Sequence, residues 1–534
     1  MKILLIIPKY NLTTKPSYEY AFPLGLAYVS AAMKKAGYDV DCINLNHLEG
    51  KSEDLIKTAL DKKKYNIVCT GHTGIGYAIV EKIVQTTRKH DSRPVIILGG
   101  ALMTSEPELM FNSLKPDFAV LGEGDITIIE LLKCIEKKTN PEKVDGICFE
   151  KDGKTVFTKS RELVKDLDSL PFPDLEGFEF KKYLDNQSNV SNYMAQDYPR
   201  FYLILCSRGC PNQCTFCYHS VGFKYRLRSL DSIFNEIENA IKTYNINSLS
   251  ILDDLFSLDK KRLFEFCRRI KELSKKNNFK IKWDCQLTVK DAEETLLRTL
   301  KDAGCNVVSF GFESYSPLVL KSMRKPITPE QIDNAVKLSF KVGIGLQGSF
   351  IFGDVAETRE TAHKTLEYWK NNCKGQIKIG FIQPYPGSEI FNHCVRKCII
   401  KNKLDFIKNH IAHTNWINMT DNMADEEILD LKKEILKARR EHYPYIIPLK
   451  IKKATNNRYE IMVKCPFCNE KIDYKNCPVE NKFHFNIWTA CRKCNMRFCV
   501  VSKLYKFGMD NYNALDFIRR NYLLIRDQFL KKKM

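Results

Sequence analysis

The stretch Cys206-Ser-Arg-Gly-Cys210-Pro-Asn-Gln-Cys214-Thr-Phe-Cys217 decides how the rest of the chain is read. Cys210, Cys214 and Cys217 are spaced C-x3-C-x2-C within one short loop. Three thiolates so close in sequence can reach three corners of a cubic iron–sulfur cluster, whereas a cluster held wholly by protein takes four. The fourth iron is left open, and an open iron can bind and reduce a small molecule.

Around this loop, residues 201–205, 248–252, 280–287, 307–312, 346–352 and 377–382 read as apolar strands, with helix-period segments between them. Six such units make a partial barrel whose chemistry belongs at the carboxyl ends of the strands. The cysteine loop follows the first of them. Other strand ends carry Asp253-Asp254, Gln286, Gly311-Phe-Glu313-Ser, Gly348-Ser-Phe-Ile-Phe-Gly353 and Pro384-Tyr-Pro-Gly387. Carboxylates at such ends can accept hydrogen bonds from an ammonium group.

Upstream, residues 1–150 alternate strand and helix, with buried strands at 3–7, 40–45, 67–70, 95–98 and 118–121 and amphipathic segments such as 24–36 and 77–88. This is an α/β, doubly wound, five-stranded sheet with its ligand site beyond the carboxyl ends. The loops there are rich in small residues: Gly71-His72-Thr-Gly-Ile-Gly76, Gly99-Gly100 and Gly122-Glu123-Gly124. Glycines let backbone approach a bulky flat ligand closely. Residues 151–198 read as a connector, broken by Leu170-Pro-Phe-Pro-Asp174.

The flanks of the triad, Arg208-Gly209 before it and Phe216 before its last cysteine, make the barrel resemble the radical S-adenosylmethionine (SAM) superfamily. Phe22-Pro-Leu-Gly-Leu-Ala-Tyr28, Gly99-Gly100 and Leu121-Gly-Glu-Gly124 are similar to the cobalamin-binding domain that precedes many such barrels. The resemblance implies a [4Fe–4S] cluster on Cys210, Cys214 and Cys217 and SAM chelated at the open iron. Phe216, Asp253, Asp254, Gln286 and Glu313 would hold SAM, and relatives often have arginine where this chain has Gln286. Cobalamin would lie against Gly71, His72, Gly99, Gly100, Gly122, Glu123 and Gly124. The loop after the first strand, residues 8–22, has no histidine for cobalt, which leaves His72 as a residue that could approach it. After Gly353 the family's usual Pro-Gly-Glu-Thr reads Asp354-Val-Ala-Glu357-Thr358, a less constrained turn. The implied activity is a cobalamin-dependent methyl transfer from SAM to an unactivated centre, fed by a reductant such as flavodoxin or ferredoxin. The alternatives are a ring-forming, oxidising or rearranging reaction without net methylation, and a docking protein that uses its C-terminal module.

Residues 401–450 read as mainly helical, with a helix from Asp425-Glu426-Glu427 to Arg439-Arg440 that is acidic at its start and basic at its end, as the helix dipole favours. Further on, Cys465-Pro-Phe-Cys468 and Cys491-Arg-Lys-Cys494 are two C-x2-C pairs, whose four thiolates can complete a tetrahedral site. Asn469 and Asn495 follow the two pairs where a left-handed backbone is common, and asparagine tolerates it. Residues 455–505 thus resemble a zinc ribbon, with zinc structural; an auxiliary cluster recruiting Cys477 or Cys499 is the alternative. Residues 515–529 read as a terminal helix before a lysine run, within a last segment at 506–534.

Composition bounds these readings. There are 84 basic and 64 acidic residues, a net charge of +20, and residues 401–534 carry 27 basic against 15 acidic. The excess fits a lysine-rich solvated surface, with nucleic acid as a partner of the basic C-terminal part the alternative. A small molecule or peptide is the favoured substrate. The apolar run at 3–7 is too brief for a signal-peptide core or membrane span. Twenty cysteines without an export signal point to metal chemistry in a reducing compartment, the cytoplasm, with no membrane partner.

Overall fold

The computed structural model describes residues 1–10, 14–186, 196–411, 416–455 and 457–512. The expected terminal helix at 515–529 lies outside the described residues. Five strands, β1 (Lys2–Ile7), β2 (Asp39–Asn44), β3 (Ile67–Gly71), β4 (Val95–Gly99) and β5 (Phe118–Val120), form a parallel sheet in the order β2-β1-β3-β4-β5. Ile3 to Ile7 are all buried, as a strand covered on both faces requires.

Two strands extend this sheet beyond the expected five. β6 (Ile147–Lys151) pairs antiparallel with β5, and β7 (Lys154–Phe157) pairs antiparallel with β6. Part of the expected connector is therefore sheet. The hairpin turns on Asp152-Gly153, both at positive φ (51° and 73°), the backbone a tight two-residue turn demands.

The remainder of the connector joins two cores. Phe180 sits 5.1 Å from Phe22 of the first sheet's flank, and 5.8 Å from Tyr202 and 5.2 Å from Tyr244 of the barrel, by ring centroids. One apolar cluster runs from Ile3 through Phe178 and Phe180 to Trp283 and Phe352.

The barrel strands are β8 (Phe201–Ile204), β11 (Ser248–Ile251), β12 (Lys282–Leu287), β13 (Cys305–Glu313), β14 (Gly345–Phe352) and β15 (Lys378–Phe381), all parallel, in the order β15-β14-β13-β12-β11-β8. Between β8 and β11 a two-stranded ribbon, β9 (Ser207–Arg208) with β10 (Arg226–Leu227), brackets the cysteine loop. The helix Asp425–His442 buries Ile428, Leu431, Ile435 and Ala438 against the barrel's outer layer. The C-terminal module has β16 (Tyr445–Ile446), β17 (Lys450–Thr455), β18 (Arg458–Lys464), β19 (Lys471–Pro478), β20 (Asn486–Ala490) and β21 (Arg497–Val501), in the sheets β17-β18-β19 and β16-β21-β20. Among the described residues no helix is long and apolar enough to cross a membrane.

Candidate active site at the facing sheet ends

The cysteine loop leaves the carboxyl end of β8 and is held there by a buried carboxylate. Asp253 accepts from Cys206 N (2.7 Å), Ser207 N (3.1 Å) and Ser207 Oγ (2.6 Å). Burial pushes its carboxyl up to about 6, against the pull of these donors. Asp253, expected to meet SAM, is thus engaged in shaping the loop. Side chains alternate along a strand, so Asp254 continues the inner face that carries Ser250, and its carboxyl is the exposed one. Gly209 has φ +85°, and a Cβ there would strike the Lys224 carbonyl oxygen; only glycine fits beside the triad.

Within the triad, the Cys214 and Cys217 thiols bond to each other, which lowers Cys214 to about 7 and raises Cys217. Burial raises Cys210. Cys206 is fully buried, and desolvation holds its thiol well above the usual range. The loop is tied to residues 323–325: Thr215 N donates to Met323 O (3.1 Å), and Cys214 Sγ lies 3.9 Å from Arg324 O. Lys325, which sequence reasoning passed over as part of a solvated face, is buried next to the loop. Its Nζ is 3.0 Å from Glu313 Oε1, and it lowers both Cys214 and Cys217.

Glu313 ends β13 with φ +60° and is buried. Gly311 has no room for a Cβ, which would lie 2.5 Å from Lys325 Nζ. Gln286 is exposed on the inner face of β12, where its carbonyl accepts from Phe256 N (2.8 Å). Phe216 packs against the second apolar cluster, which includes Val319, Ile382 and Phe391. The Asp354–Thr358 turn is tighter than expected: Glu357 Oε2 accepts from Gly353 N (2.6 Å), Gly353 has φ +94°, and both acids are buried. Burial pushes Glu357 up to about 8.

The N-terminal glycine loops face this loop across a crevice. A Cβ on Gly74 would be 3.9 Å from Pro386, and one on Gly387 would be 2.5 Å from the Tyr218 ring and 3.2 Å from Ser105. Several of the expected cofactor glycines are required by their own neighbours. A Cβ on Gly71 would lie 2.9 Å from Gly99 O, one on Gly100 (φ +82°) 2.8 Å from His72 O, and one on Gly124 3.2 Å from Val29. Gly99 would meet only Val120 at ordinary contact, and Gly122 (φ +75°) opens on free space. Glu123 has neither oxygen to spare: it accepts from Arg208 Nη1 (3.0 Å), Arg226 Nη1 (2.8 Å) and Val164 N (2.9 Å). Arg208 also bonds Asp125 (2.8 Å). The Glu123 expected at the cofactor face therefore locks the two domains together through the arginine that precedes the triad.

Buried polar atoms nearly always find partners. Among the described residues, His72 Nε2, Thr215 Oγ1, Tyr218 OH, His219 Nε2, Gln383 Oε1 and Trp416 Nε1 have none. All belong to loops at or beyond the carboxyl ends of the two sheets. Such a concentration fits a crevice that holds a large polar ligand.

At the other end of the barrel, Cys465, Cys468, Cys491 and Cys494 bring their sulfurs within 4.8 Å of one another. Phe467 N and Lys493 N each point at the first sulfur of a pair at 3.4 Å, and Asn469 and Asn495 have φ 60° and 58°. Cys477 and Cys499 are buried outside this group; the Cys477 thiol is 3.8 Å from Tyr474 O. The module docks on residues that precede strands: Asn495 Nδ2 donates to Gly343 O (3.1 Å), Arg497 N to Gln376 Oε1 (2.7 Å), and Arg492 pairs with Asp197 (2.6 Å). It covers the amino end, about 25 Å along the eight residues of β14 from the mouth.

This architecture, a doubly wound domain closing on the mouth of a three-cysteine partial barrel, is that of cobalamin-associated radical enzymes. The sequence profile of the Radical SAM superfamily matches residues 204–368, and that of the B12 binding domain matches residues 12–132. An uncharacterized methyltransferase of Pyrococcus horikoshii is 30% identical over 403 residues, covering 74% of this chain and 83% of that protein. An anaerobic magnesium-protoporphyrin IX monomethyl ester cyclase of Rubrivivax gelatinosus is 28% identical over 440 residues, covering 80% and 76%. The fold is similar to that of the radical SAM methyltransferase TsrM from Kitasatospora setae, with a TM-score of 0.60 at 16% identity over 74% of this chain and 75% of that one. The chain belongs to the radical SAM superfamily, in the branch that carries a B12-binding domain, and it is an enzyme.

Proposed function

We propose that this chain is a cobalamin-dependent radical SAM methyltransferase. The observation that carries the reading is the apposition of the Cys210–Cys217 loop to the glycine loops that follow β3, β4 and β5, across a crevice lined by unpartnered polar atoms. When bound, the cluster supplies the electron that cleaves SAM, and cobalamin carries the methyl group. The chain's own groups set up the chamber. Asp253 shapes the thiolate loop, Lys325 places a positive charge beside Cys214 and Cys217, and Glu313 orients that lysine. Asp254 and Gln286 stand open on the inner wall to receive the polar ends of SAM.

The inner wall below them carries Ser250, Asp284, Ser309, Gln347 and Ser349. Asp284 accepts from Ser250 Oγ (2.9 Å), and burial pushes its carboxyl up to about 7. Such a wall suits a small molecule or peptide with hydrogen-bonding groups. The four-cysteine site holds a structural zinc, because four thiolates fill a tetrahedral ion and leave no position open. An electron-transfer protein such as flavodoxin or ferredoxin supplies the reductant. Nucleic acid would meet the basic module at the end of the barrel remote from the cluster.

The cyclase among the relatives keeps a second reading in view, a radical reaction without net methylation. Anaerobically reconstituted protein given SAM, cobalamin and a reductant decides between them. Formation of both 5′-deoxyadenosine and S-adenosylhomocysteine is the expected result. 5′-Deoxyadenosine alone, with a product that has gained no methylene, favours the second reading, and neither product refutes both.

A further inference from the structure

The strand order β2-β1-β3-β4-β5 reverses between β1 and β3. In open parallel sheets ligands bind in the crevice outside the carboxyl ends at such a reversal. Two rings stand there: Tyr10, shortly after β1, and His72, immediately after β3, with centroids 4.9 Å apart and planes tilted by 42°. His72 is 7% exposed.

The imidazole is held in one state. Its Nδ1 lies 3.2 Å from the Thr73 carbonyl oxygen and 3.1 Å from Thr73 Oγ1. A carbonyl oxygen only accepts, so the proton sits on Nδ1 and Nε2 keeps its lone pair. Burial lowers the ring's affinity for a second proton. Nε2 is buried and has no hydrogen-bond partner. The ring's position is equally constrained: a Cβ on Gly76 would collide with it, and the His72 carbonyl is gripped by Leu102 N (3.0 Å) over Gly100. A neutral imidazole with Nδ1–H on a backbone carbonyl and Nε2 free is the arrangement metal-ligating histidines adopt.

Resting on the reading that cobalamin occupies the crevice, the geometry points to His72 Nε2 as a protein ligand that coordinates cobalt from the face of the doubly wound sheet. The bond is dative: the Nε2 lone pair fills the axial position, and no proton or electron is exchanged. The residue sits after the third strand, whereas residues 8–22 after the first strand contain no histidine.

The test uses the full-length protein with its cluster, loaded with cobalamin and reduced by one electron to the paramagnetic cobalt(II) form. The unpaired electron then lies along the axial direction, and a coordinated nitrogen splits its EPR lines into triplets. Protein carrying 15N-histidine should show doublets instead, and His72→Ala and His72→Gln should lose that histidine signal while retaining iron and bound cobalamin. Retained cobalamin whose triplets ignore the histidine label, or which shows no axial nitrogen, overturns the assignment and leaves the cobalamin reading standing. Wild-type protein that keeps its iron and retains no cobalamin overturns both.

Discussion

The two cysteine centres of this chain sit at opposite ends of one barrel and are built on opposite plans. The C-terminal four are closed locally. Each pair makes its own N–H···S bonds and left-handed asparagine turn, and the four sulfurs converge within 4.8 Å. The triad at the mouth is held from a distance, by Asp253 beneath it, residues 323–325 beside it and Arg208 reaching across to Glu123 and Asp125. A site that only stabilises can complete its own coordination. A site that must admit a substrate to an open iron leaves a valence and several polar atoms unsatisfied, and borrows rigidity from the surrounding fold.

The largest effects should come from breaking each centre in turn. Replacing Cys210, Cys214 and Cys217 together by alanine should abolish cluster iron and 5′-deoxyadenosine formation while the C-terminal metal is retained, as metal analysis would show. Replacing Cys465 and Cys491 by alanine should do the reverse. It forfeits metal binding worth on the order of 10 kcal/mol in isolated zinc modules, so the module unfolds first on heating while the cluster still assembles. If either variant loses both metals, the two centres are not independent and the comparison fails.

A smaller effect tests the borrowed rigidity. Arg208 and Arg226 are buried among Glu123 and Asp125. Removing one partner of a buried pair costs roughly 3–5 kcal/mol because it strands the other charge. Arg208→Met should lower the denaturant midpoint and weaken cobalamin retention, with Cys210, Cys214 and Cys217 untouched. Unchanged cobalamin affinity would show that the lock does not set the crevice.

How much of this was legible follows from range. The barrel strands are apolar runs and announce themselves; the hairpin of β6 and β7 also carried its signal in Asp152-Gly153, masked by a polar, half-exposed strand. The two C-x2-C pairs could be assigned because each knuckle is local. The mouth could not, because its partners are remote in sequence: Glu123 is 85 residues from Arg208, and Lys325 is far from both Cys214 and Cys217. One error was avoidable. Adjacent strand residues point to opposite faces, so Asp253 and Asp254 could never both line the chamber.

The mouth also stores titratable groups in its walls, which yields a pH test. Glu357 has an ordinary value of 4.5 and is pushed to about 8 in the fold. Its contribution to stability is therefore fully present below about 4.5 and is lost as pH rises through 8, at up to about 1.4 kcal/mol per pH unit. Glu357→Gln keeps an oxygen for Gly353 N and removes the ionisation. Its stability should match wild type near pH 5 and exceed it near pH 9, by urea denaturation. Parallel curves across that range would mean that Glu357 ionises freely and the turn is open.

The smallest predicted effect separates the two knuckles themselves. Asn469 and Asn495 share the same left-handed backbone, a conformation glycine adopts without penalty. Asn469 is exposed, so Asn469→Gly should be neutral or stabilise by a few tenths of a kcal/mol. Asn495 also donates to Gly343 O at the foot of β14. Asn495→Gly gains the same relief and gives up a bond worth about 1 kcal/mol, so it should be the worse of the two. The loss should appear as faster hydrogen exchange at the barrel's amino end, with metal content unchanged. If the two glycine variants behave alike, the module's hold on the barrel lies in Arg497, Gln376 and β16, and the knuckles serve the metal alone.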